Sequence, residues 1–205
     1  MDQKKKHWET IYQTKDVHTV SWFQREARES LHLITRFAPD RTAPIIDVGG
    51  GASVLVDDLL AAGYTDVTVF DLSETALEIS RQRLGDAAAR VKWIAGDVRG
   101  APLADRAYDI WHDRAVFHFL TDASDRKAYV AQVQRTVRPG GYVLAATFAE
   151  DGPAMCSGLP VVRYSAESLH SEFGPAFRIV TSEHEDHHTP AGREQSFLYC
   201  LCRRE

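Results

Sequence analysis

From position 45 onward, short apolar stretches alternate with amphipathic stretches, and Gly, Pro or Asp residues stand between them. Short apolar runs indicate buried strands, whereas apolar residues repeated at i, i+3 and i+4 indicate helices. The predicted strands span 45–48, 67–70, 91–95, 108–112 and 142–148. The predicted helices span 54–62, 74–84, 124–137 and 166–173. Strands that alternate with helices predict βαβ units and therefore a parallel sheet.

The two ends of the chain follow other patterns. The first 40 residues are rich in aromatic side chains and predict two helices, at 7–12 and 25–37. Near the other end, 177–183 and 196–203 predict a closing antiparallel hairpin. The chain therefore combines a parallel core with a helical N-terminal segment and an antiparallel C-terminal edge.

A glycine-rich loop follows the first predicted strand, with the sequence Asp47-Val48-Gly49-Gly50-Gly51-Ala52-Ser53. Glycines allow a ligand to approach the backbone closely, and the start of the next helix offers free N–H groups. A loop of this kind fits nicotinamide dinucleotides, flavins and S-adenosylmethionine. The loop alone thus predicts a nucleotide-like ligand without choosing among these three.

Four aspartates, Asp47, Asp71, Asp97 and Asp113, lie at or beside the ends of successive strands. The carboxyl ends of parallel strands meet at one edge of the sheet, where ligands bind. Asp71 suits the ribose hydroxyls of an adenosine, which still permits NAD, and Asp97 suits the adenine amino group. The spacing Asp-x-Gly-x-Gly favours S-adenosylmethionine, because a β-branched residue, Val54, occupies the position of the third dinucleotide-binding glycine.

Over residues 44–148 these motifs resemble those of class I S-adenosylmethionine-dependent methyltransferases. The segment 111–114 (Trp-His-Asp-Arg) resembles their fourth motif, and 138–141 (Arg-Pro-Gly-Gly) resembles their turn before the fifth strand. Ser53 departs from the pattern, since many members have a third glycine there. The resemblance implies S-adenosyl-L-methionine as cofactor and S-adenosyl-L-homocysteine as product. The residues it assigns to the cofactor are Trp22, Asp47, Gly49, Gly50, Gly51, Ser53, Asp71, Leu72, Asp97, Val98 and Asp113.

The resemblance also implies the architecture. In this family a Rossmann-like, doubly wound, mostly parallel sheet of seven strands ends in an antiparallel hairpin. The aromatic N-terminal segment resembles segments of small-molecule methyltransferases and of some protein-lysine methyltransferases, which implies a lid over the cofactor. We therefore expect a single domain over 1–205, with a helical lid, 1–40, and a core, 41–205.

Composition and charge exclude several classes of protein. The formal net charge of −5 argues against nucleic-acid and membrane-surface binding. The sequence contains neither an apolar run long enough to span a bilayer nor the apolar core of a signal peptide, so a cytoplasmic location is expected. The three cysteines do not form a paired framework, and we expect free thiols. A monomer and a homodimer both remain open.

Candidates for catalysis follow the fourth strand. Asp113 is the best polar candidate there, and His118 is a candidate base or substrate ligand. Arg114 is expected to pair with Asp113 or to bind a substrate anion. Cys156, in the irregular segment 151–163, would suit a thiol or metalloid acceptor, although an inert buried thiol is the simpler interpretation.

A second polar group, His184, His187 and His188, is interpreted as part of a solvated hairpin turn, and no metal is expected. The leading hypothesis is a methyltransferase with a small-molecule acceptor, for which thiols and metalloids are candidates. The alternative is a protein-lysine methyltransferase. A cofactor-binding protein without catalysis and a nicotinamide-dependent reductase are the other classes considered.

Overall fold

A computed structural model describes residues 3–205, so the first two residues of the predicted lid lie outside the described part of the chain. Seven strands form one sheet, in the order β3-β2-β1-β4-β5-β9-β8. Strands β1 to β5 are parallel, and β9 pairs antiparallel with both β5 and β8. These strands are β1 (Ile45–Val48), β2 (Val67–Asp71), β3 (Val91–Ala95), β4 (Tyr108–Arg114), β5 (Val137–Phe148), β8 (Phe177–His188) and β9 (Glu194–Arg204).

Helices cover both faces of this sheet, which makes the fold doubly wound as expected. They are α1 (Gln3–Thr14), α2 (Arg28–Phe37), α3 (Leu55–Ala61), α4 (Glu74–Leu84), α5 (Ala123–Thr136) and α6 (Ala166–Phe173). One apolar core joins the sheet to α5 and α6, and contains Tyr129, Val133 and Phe173. The other joins it to α2 and α3, and contains Ile34 and Leu59. Among residues 3–205, no helix is long and apolar enough to cross a membrane.

Helix boundaries follow from the signals in the sequence. The Ser73 hydroxyl accepts the Ala76 N–H at 3.1 Å and thereby caps α4, as predicted. Gly63 follows α3 with φ +92°, a conformation that favours glycine. At the N-terminal helices the pattern was less accurate, because α1 extends beyond the predicted 7–12 on both sides and α2 begins at Arg28.

Several strands are longer than the pattern predicts. Strand β5 begins at Val137, within the predicted helix, and includes the segment 138–141 that was predicted as a turn. Strand β4 continues to Arg114, since its pairing with β5 extends to Arg114 opposite Ala146. Strand β8 continues to His188, because it pairs with β9 as far as Glu194. The interpretation of the histidine group as part of a hairpin turn is therefore wrong, and the turn begins only at Thr189. The segment expected to be irregular contains a small hairpin, β6 (Met155–Cys156) with β7 (Leu159–Pro160).

Candidate functional site

The carboxyl ends of β1, β2 and β3 open into a cavity that we name the main cleft. It has about 920 Å³ of empty space, including the part open to solvent. Asp71, Leu72, Asp97 and Val98 line it on the side of β2 and β3, and Trp22 lines it on the side of the N-terminal segment. Gly49 lines it as well, so six residues that the sequence assigned to the cofactor meet in one cavity.

The glycine loop closes one end of this cleft and has no room for side chains. A Cβ at Gly49, where φ is +72°, would lie 2.0 Å from Val116 Cγ2. A Cβ at Gly50 would lie 2.2 Å from Asp47 Oδ2, and one at Gly51 would lie 2.6 Å from Asp71 Oδ2. Only glycine lets the loop fold this closely over the strand ends, which leaves its backbone available to a ligand.

Asp71 lies at the centre of the cleft with its carboxylate fixed by backbone groups. Its Oδ2 accepts the Gly51 N–H at 3.0 Å, and its Oδ1 accepts the Ser73 N–H at 2.8 Å. Burial raises the pKa of Asp71 to about 6, although these two hydrogen bonds oppose the shift. The carboxylate keeps lone pairs for further donors, as a ribose acceptor requires.

Asp97 is not a free acceptor at the far end of the cleft. The Arg99 side chain holds it as an ion pair, with Nε 2.9 Å from Oδ1, and Arg99 also contacts Asp125. This hydrogen bond lowers the pKa of Asp97, against the effect of partial burial. Lys4 of α1 binds the same Asp125 at 3.1 Å. Asp97 therefore belongs to a charged cluster that connects α1 to the core.

A second, smaller cavity lies behind the glycine loop, and we name it the loop pocket. Asp47, Gly50, Ser53 and Ser30 line it, together with His112. Asp47 is 2% exposed, and its Oδ2 has no hydrogen-bond partner within residues 3–205. The Ser53 hydroxyl accepts the Leu55 N–H at 3.1 Å, so the residue that departs from the family pattern satisfies the first N–H of α3, one residue before the N-cap position.

The two cavities meet at a shared wall that contains Tyr12, Trp22, Gly49 and Arg114. Aromatic rings surround this junction on the side of the main cleft. The ring centroids of Trp8 and Trp22 are 5.6 Å apart, with the planes almost perpendicular at 83°. Trp8 also meets Phe119 edge to face at 5.2 Å. The sequence assigned only Trp22 of these aromatic residues to the cofactor, although the aromatic content of the first 40 residues pointed to Trp8 and Tyr12 as well.

Arg114 connects the N-terminal segment to the sheet at this junction. Its Nε donates to the Tyr199 hydroxyl at 2.9 Å, and its guanidinium lies 3.5 Å from the Glu185 carboxylate. A further N–H of Arg114 donates to the Trp22 carbonyl at 3.3 Å. The charge partner of Arg114 is therefore Glu185 and not the neighbouring Asp113.

The two residues proposed for catalysis do not reach either cavity. Asp113 is 0% exposed, and its carboxylate accepts the Val116 N–H at 3.0 Å and the Tyr129 hydroxyl. His118 is also 0% exposed, and burial lowers its pKa to about 3. Strand β4 continues through Asp113 to Arg114. The Asp113 side chain is therefore buried in the core beside the sheet and does not lie at the binding edge. This geometry favours structural roles for both residues.

The other histidines form no metal centre in residues 3–205, where no three His, Cys, Asp or Glu side chains are arranged to hold an ion. His184 and His188 are exposed on β8. His187 is buried, and its Nε2 lies 2.8 Å from the Ser21 carbonyl. His187 therefore fixes the loop that carries Trp22.

Comparison with known proteins identifies the kind of domain that contains this cavity. A family model described as a methyltransferase domain matches residues 45–141. The chain contains a class I, S-adenosylmethionine-dependent methyltransferase domain. The matched residues extend from β1 to the turn within β5, and so include the glycine loop, Asp71 and Asp97.

Relatives and solved structures agree with this domain. The ubiquinone/menaquinone biosynthesis C-methyltransferase UbiE of Methylobacterium nodulans is 31% identical over 122 residues, which cover 57% of this chain and 47% of the relative. The chain thus spans about half the length of the curated relatives it matches first. EEF1A lysine methyltransferase 2 of Danio rerio is 23% identical, and the alignment covers 86% of this chain and 76% of the relative.

A solved structure of the Burkholderia thailandensis 1,6-didemethyltoxoflavin-N1-methyltransferase, with 1,6-didemethyltoxoflavin and S-adenosylhomocysteine bound, shows the same fold. Its TM-score is 0.75 at 22% identity, and the match covers 98% of this chain and 87% of that chain. The cofactor of this methyltransferase domain is S-adenosylmethionine. The features of the cavity fit that cofactor, because the side-chain-free loop admits a backbone-bound tail and Asp47 Oδ2 is a buried oxygen without a partner.

Proposed function

We propose that this chain is a methyltransferase that transfers the methyl group of S-adenosylmethionine to a small molecule. The observation that carries the proposal is the junction of the two cavities at Tyr12, Trp22, Gly49 and Arg114. An extended donor with its adenosine in the main cleft and its amino-acid tail in the loop pocket would have its sulfur at this junction. The acceptor would then lie beside the same aromatic wall.

Each half of the donor has partners of suitable chemistry in this arrangement. Asp71 would accept the ribose hydroxyls. The adenine amino group would lie beside Leu72 and Val98, where it would share the Asp97 carboxylate with Arg99. The backbone from Gly49 to Gly51 would hold the tail, and Asp47 Oδ2 would accept from its ammonium group. These roles follow the sequence assignment. They are supported by the positions of Asp71, Leu72, Asp97 and Val98 on the main cleft and of Asp47, Gly49 and Gly50 on the loop pocket.

The chemistry requires little from the protein beyond binding and alignment. When bound, the cofactor supplies a methyl group already activated by a sulfonium. The residues at the junction would orient the acceptor and exclude water, and such positioning contributes about 7–11 kcal/mol in well-oriented reactions. A base is needed only when the acceptor atom is protonated at the working pH. The absence of Asp113 and His118 from the lining residues is therefore compatible with catalysis.

The side chains at the junction limit the kinds of acceptor molecule that fit there. Trp8, Trp22 and Phe119 provide apolar ring surfaces. Burial raises the pKa of the Cys156 thiol to about 11, so at neutral pH this side chain is an uncharged thiol and not a metal-binding thiolate. These walls suit an apolar, uncharged acceptor. A small thiol fits this description, whereas a metalloid bound through Cys156 would first require deprotonation of the buried thiol.

A protein-lysine methyltransferase is the second candidate, since the alignment with EEF1A lysine methyltransferase 2 covers 86% of this chain. Against it, Lys4, Trp8 and Tyr12 of α1 line the main cleft and narrow the approach of a polypeptide to the junction. This partial cover favours the small-molecule acceptor.

The test is transfer of radiolabelled methyl groups to cell extract separated into a small-molecule filtrate and a protein fraction. We expect label in the filtrate, and much less with the Asp71→Asn variant, whose donor binding is impaired. Label confined to protein bands would reject the small-molecule proposal and favour lysine methylation. No transfer to either fraction, together with normal S-adenosylhomocysteine binding, would reject catalysis.

A further inference from the structure

A chain of three buried polar side chains lies directly behind the glycine loop. Asp47 and His112 are register partners on the neighbouring parallel strands β1 and β4. His112 Nδ1 lies 2.7 Å from Asp47 Oδ1, and His112 Nε2 lies 2.8 Å from the Ser30 hydroxyl of α2. The three residues are 2%, 3% and 1% exposed, respectively.

The direction of these hydrogen bonds follows from the chemistry of the end group. A carboxylate only accepts, so Nδ1 of His112 must carry the proton that it donates to Asp47. In the neutral ring Nε2 is then an acceptor, and the Ser30 hydroxyl donates a hydrogen bond to it. The order of residues resembles the triad of serine hydrolases, but a nucleophile must reach its substrate, and Ser30 is 1% exposed.

The result is a carboxylate with one oxygen fixed and the other unused. Oδ1 of Asp47 is held by His112, whereas Oδ2 faces Gly50 without a hydrogen-bond partner within residues 3–205. Leaving a buried carboxylate oxygen unpaired is unfavourable, so such a group indicates a ligand that donates to it. Both His112 and Ser30 line the loop pocket with Asp47.

We propose that His112 and Ser30 are positioning residues, which hold Asp47 so that Oδ2 points at the ammonium group of the bound donor. Ser30 fixes the tautomer and orientation of His112, and His112 fixes the carboxylate rotamer. In this way α2, which belongs to the N-terminal segment, contributes to donor binding through Asp47. The inference rests on the placement of the donor tail in the loop pocket given above.

The test compares two ligands that differ only in the group concerned. S-adenosylhomocysteine carries the ammonium group, whereas its deaminated analogue keeps the adenosine, sulfur and carboxylate but lacks the nitrogen. Calorimetry would measure the affinity of both for the wild type and for Ser30→Ala, His112→Phe and His112→Asn. His112→Asn is the conservative variant, because its amide can still donate to Asp47 from the position of Nδ1.

We expect Ser30→Ala to weaken S-adenosylhomocysteine binding about three- to tenfold and His112→Phe about 10- to 100-fold, with His112→Asn between the wild type and His112→Phe. Binding of the deaminated analogue should change less than about twofold in all three. A merely structural role would reduce the affinity for both ligands alike, and that result would overturn the proposal. If His112→Phe fails to fold, the affinities of Ser30→Ala and His112→Asn for the two ligands still test the positioning role.

Asp47→Asn separates this inference from the placement of the donor. If Asp47→Asn selectively weakens binding of S-adenosylhomocysteine but the His112 and Ser30 variants do not, the donor tail is placed correctly and the positioning role is wrong. If Asp47→Asn leaves both affinities unchanged, the ammonium group lies elsewhere, and both the placement and the positioning role are rejected.

Discussion

Glu9 in α1 accepts a hydrogen bond from the backbone N–H of Glu74, the first residue of α4, with 2.9 Å between O and N. Its other carboxylate oxygen accepts from the Ser73 hydroxyl at 3.1 Å and the Thr75 N–H at 3.3 Å. The first N–H groups of a helix have no partner within it, and they favour a negative charge. A side chain of the N-terminal segment thus completes the start of a core helix, next to Leu72 of the main cleft.

Glu9→Gln should loosen α1 from the core. Burial alone would raise the pKa of Glu9, but the hydrogen bonds from Thr75, Glu74 and Ser73 outweigh it and lower the pKa. The stabilising contribution of Glu9 is therefore present above its unfolded-state pKa and is lost as the pH falls through the lower folded-state value. Hydrogen exchange of the α1 amides at neutral pH should accelerate about two- to fivefold, as expected for a partly exposed, screened contact.

The control for this prediction is Glu26→Gln, since the Glu26 carboxylate pairs with Arg28 within the N-terminal segment. Its substitution should leave exchange in α1 unchanged. Equal exchange in the two variants would show that Glu9 does not hold α1 to the start of α4. The wild type at low pH should approach the behaviour of Glu9→Gln.

Gly51→Ala should impair donor binding through lack of space alone. The new Cβ would lie 2.5 Å from the Ala76 Cβ and 2.6 Å from Asp71 Oδ2, although the backbone at Gly51 does not require a positive φ. Either the loop or the Asp71 carboxylate must shift, and we expect the affinity for S-adenosylhomocysteine to fall by roughly tenfold or more. Calorimetry measures this directly.

Gly100→Ala is the matched control, because a Cβ at Gly100 meets nothing within 4 Å. It should bind S-adenosylhomocysteine as the wild type does. Wild-type affinity in Gly51→Ala would mean that the loop is not the closely packed cradle described above, and that its glycines are not needed for the donor.

The sequence predicted the frame of the molecule because the frame depends on local patterns. The strands β1 to β3 and the capped helix α4 follow from apolar runs and from Ser73, which are readable within a few residues. The length of β8 depends on its partner β9 and not on its own polar sequence, which explains why His184 and His187 were assigned to a turn. Alternating polar and charged residues predict a turn unless the pairing strand is known.

The same distinction applies to the site. Asp71 and Asp97 could be predicted because strand order alone brings them to one edge of the sheet. The sequence placed Asp113 at the binding edge of the sheet. Strand β4 instead continues past it to Arg114, and the Asp113 carboxylate accepts a hydrogen bond from Tyr129 in the core. Contacts between distant segments, such as Ser30 with His112, have no signal in a single sequence.

Donor binding should weaken in acid because of Asp71. Burial raises the pKa of this carboxyl to about 6, and a protonated group is a poorer acceptor for ribose hydroxyls. Below this pH the affinity for S-adenosylhomocysteine should fall by up to about tenfold per pH unit. In Asp71→Asn the affinity should be about 10- to 100-fold lower at neutral pH, as expected for loss of charge-assisted hydrogen bonds.

The free protein should respond to pH in the opposite direction. Because the folded-state pKa of Asp71 lies above the ordinary value of 3.8, its ionisation destabilises the fold at neutral pH, and stability rises as the pH falls through 6. The difference in melting temperature between wild type and Asp71→Asn should therefore change between pH 7 and pH 5. Asp105→Asn, at an exposed carboxylate, serves as control. A pH-independent affinity in the wild type would contradict the role of Asp71.

His118→Leu tests whether the histidine after β4 takes part in catalysis. The His118 ring is 0% exposed, its Nε2 has no partner within residues 3–205, and its low pKa of about 3 keeps it neutral. Removing the unpaired Nε2 relieves a penalty of about 1–3 kcal/mol. This gain offsets the loss of the long hydrogen bond from the Phe148 N–H to Nδ1, at 3.4 Å, and of the ring contacts with Phe148. We therefore expect an unchanged or higher melting temperature and methyl transfer within about threefold of the wild type.

Asp113→Asn provides the comparison, because its carboxylate accepts from Val116, Phe117 and Tyr129 and an amide would present a donor to these donors. It should lower stability by about 1–3 kcal/mol while the folded fraction still binds S-adenosylhomocysteine. The measurements are thermal unfolding, calorimetry and label transfer on the same preparations. If either variant lost more than about a hundredfold in transfer with unchanged stability and donor affinity, that residue would act in catalysis, because only an interaction specific to the transition state produces this pattern.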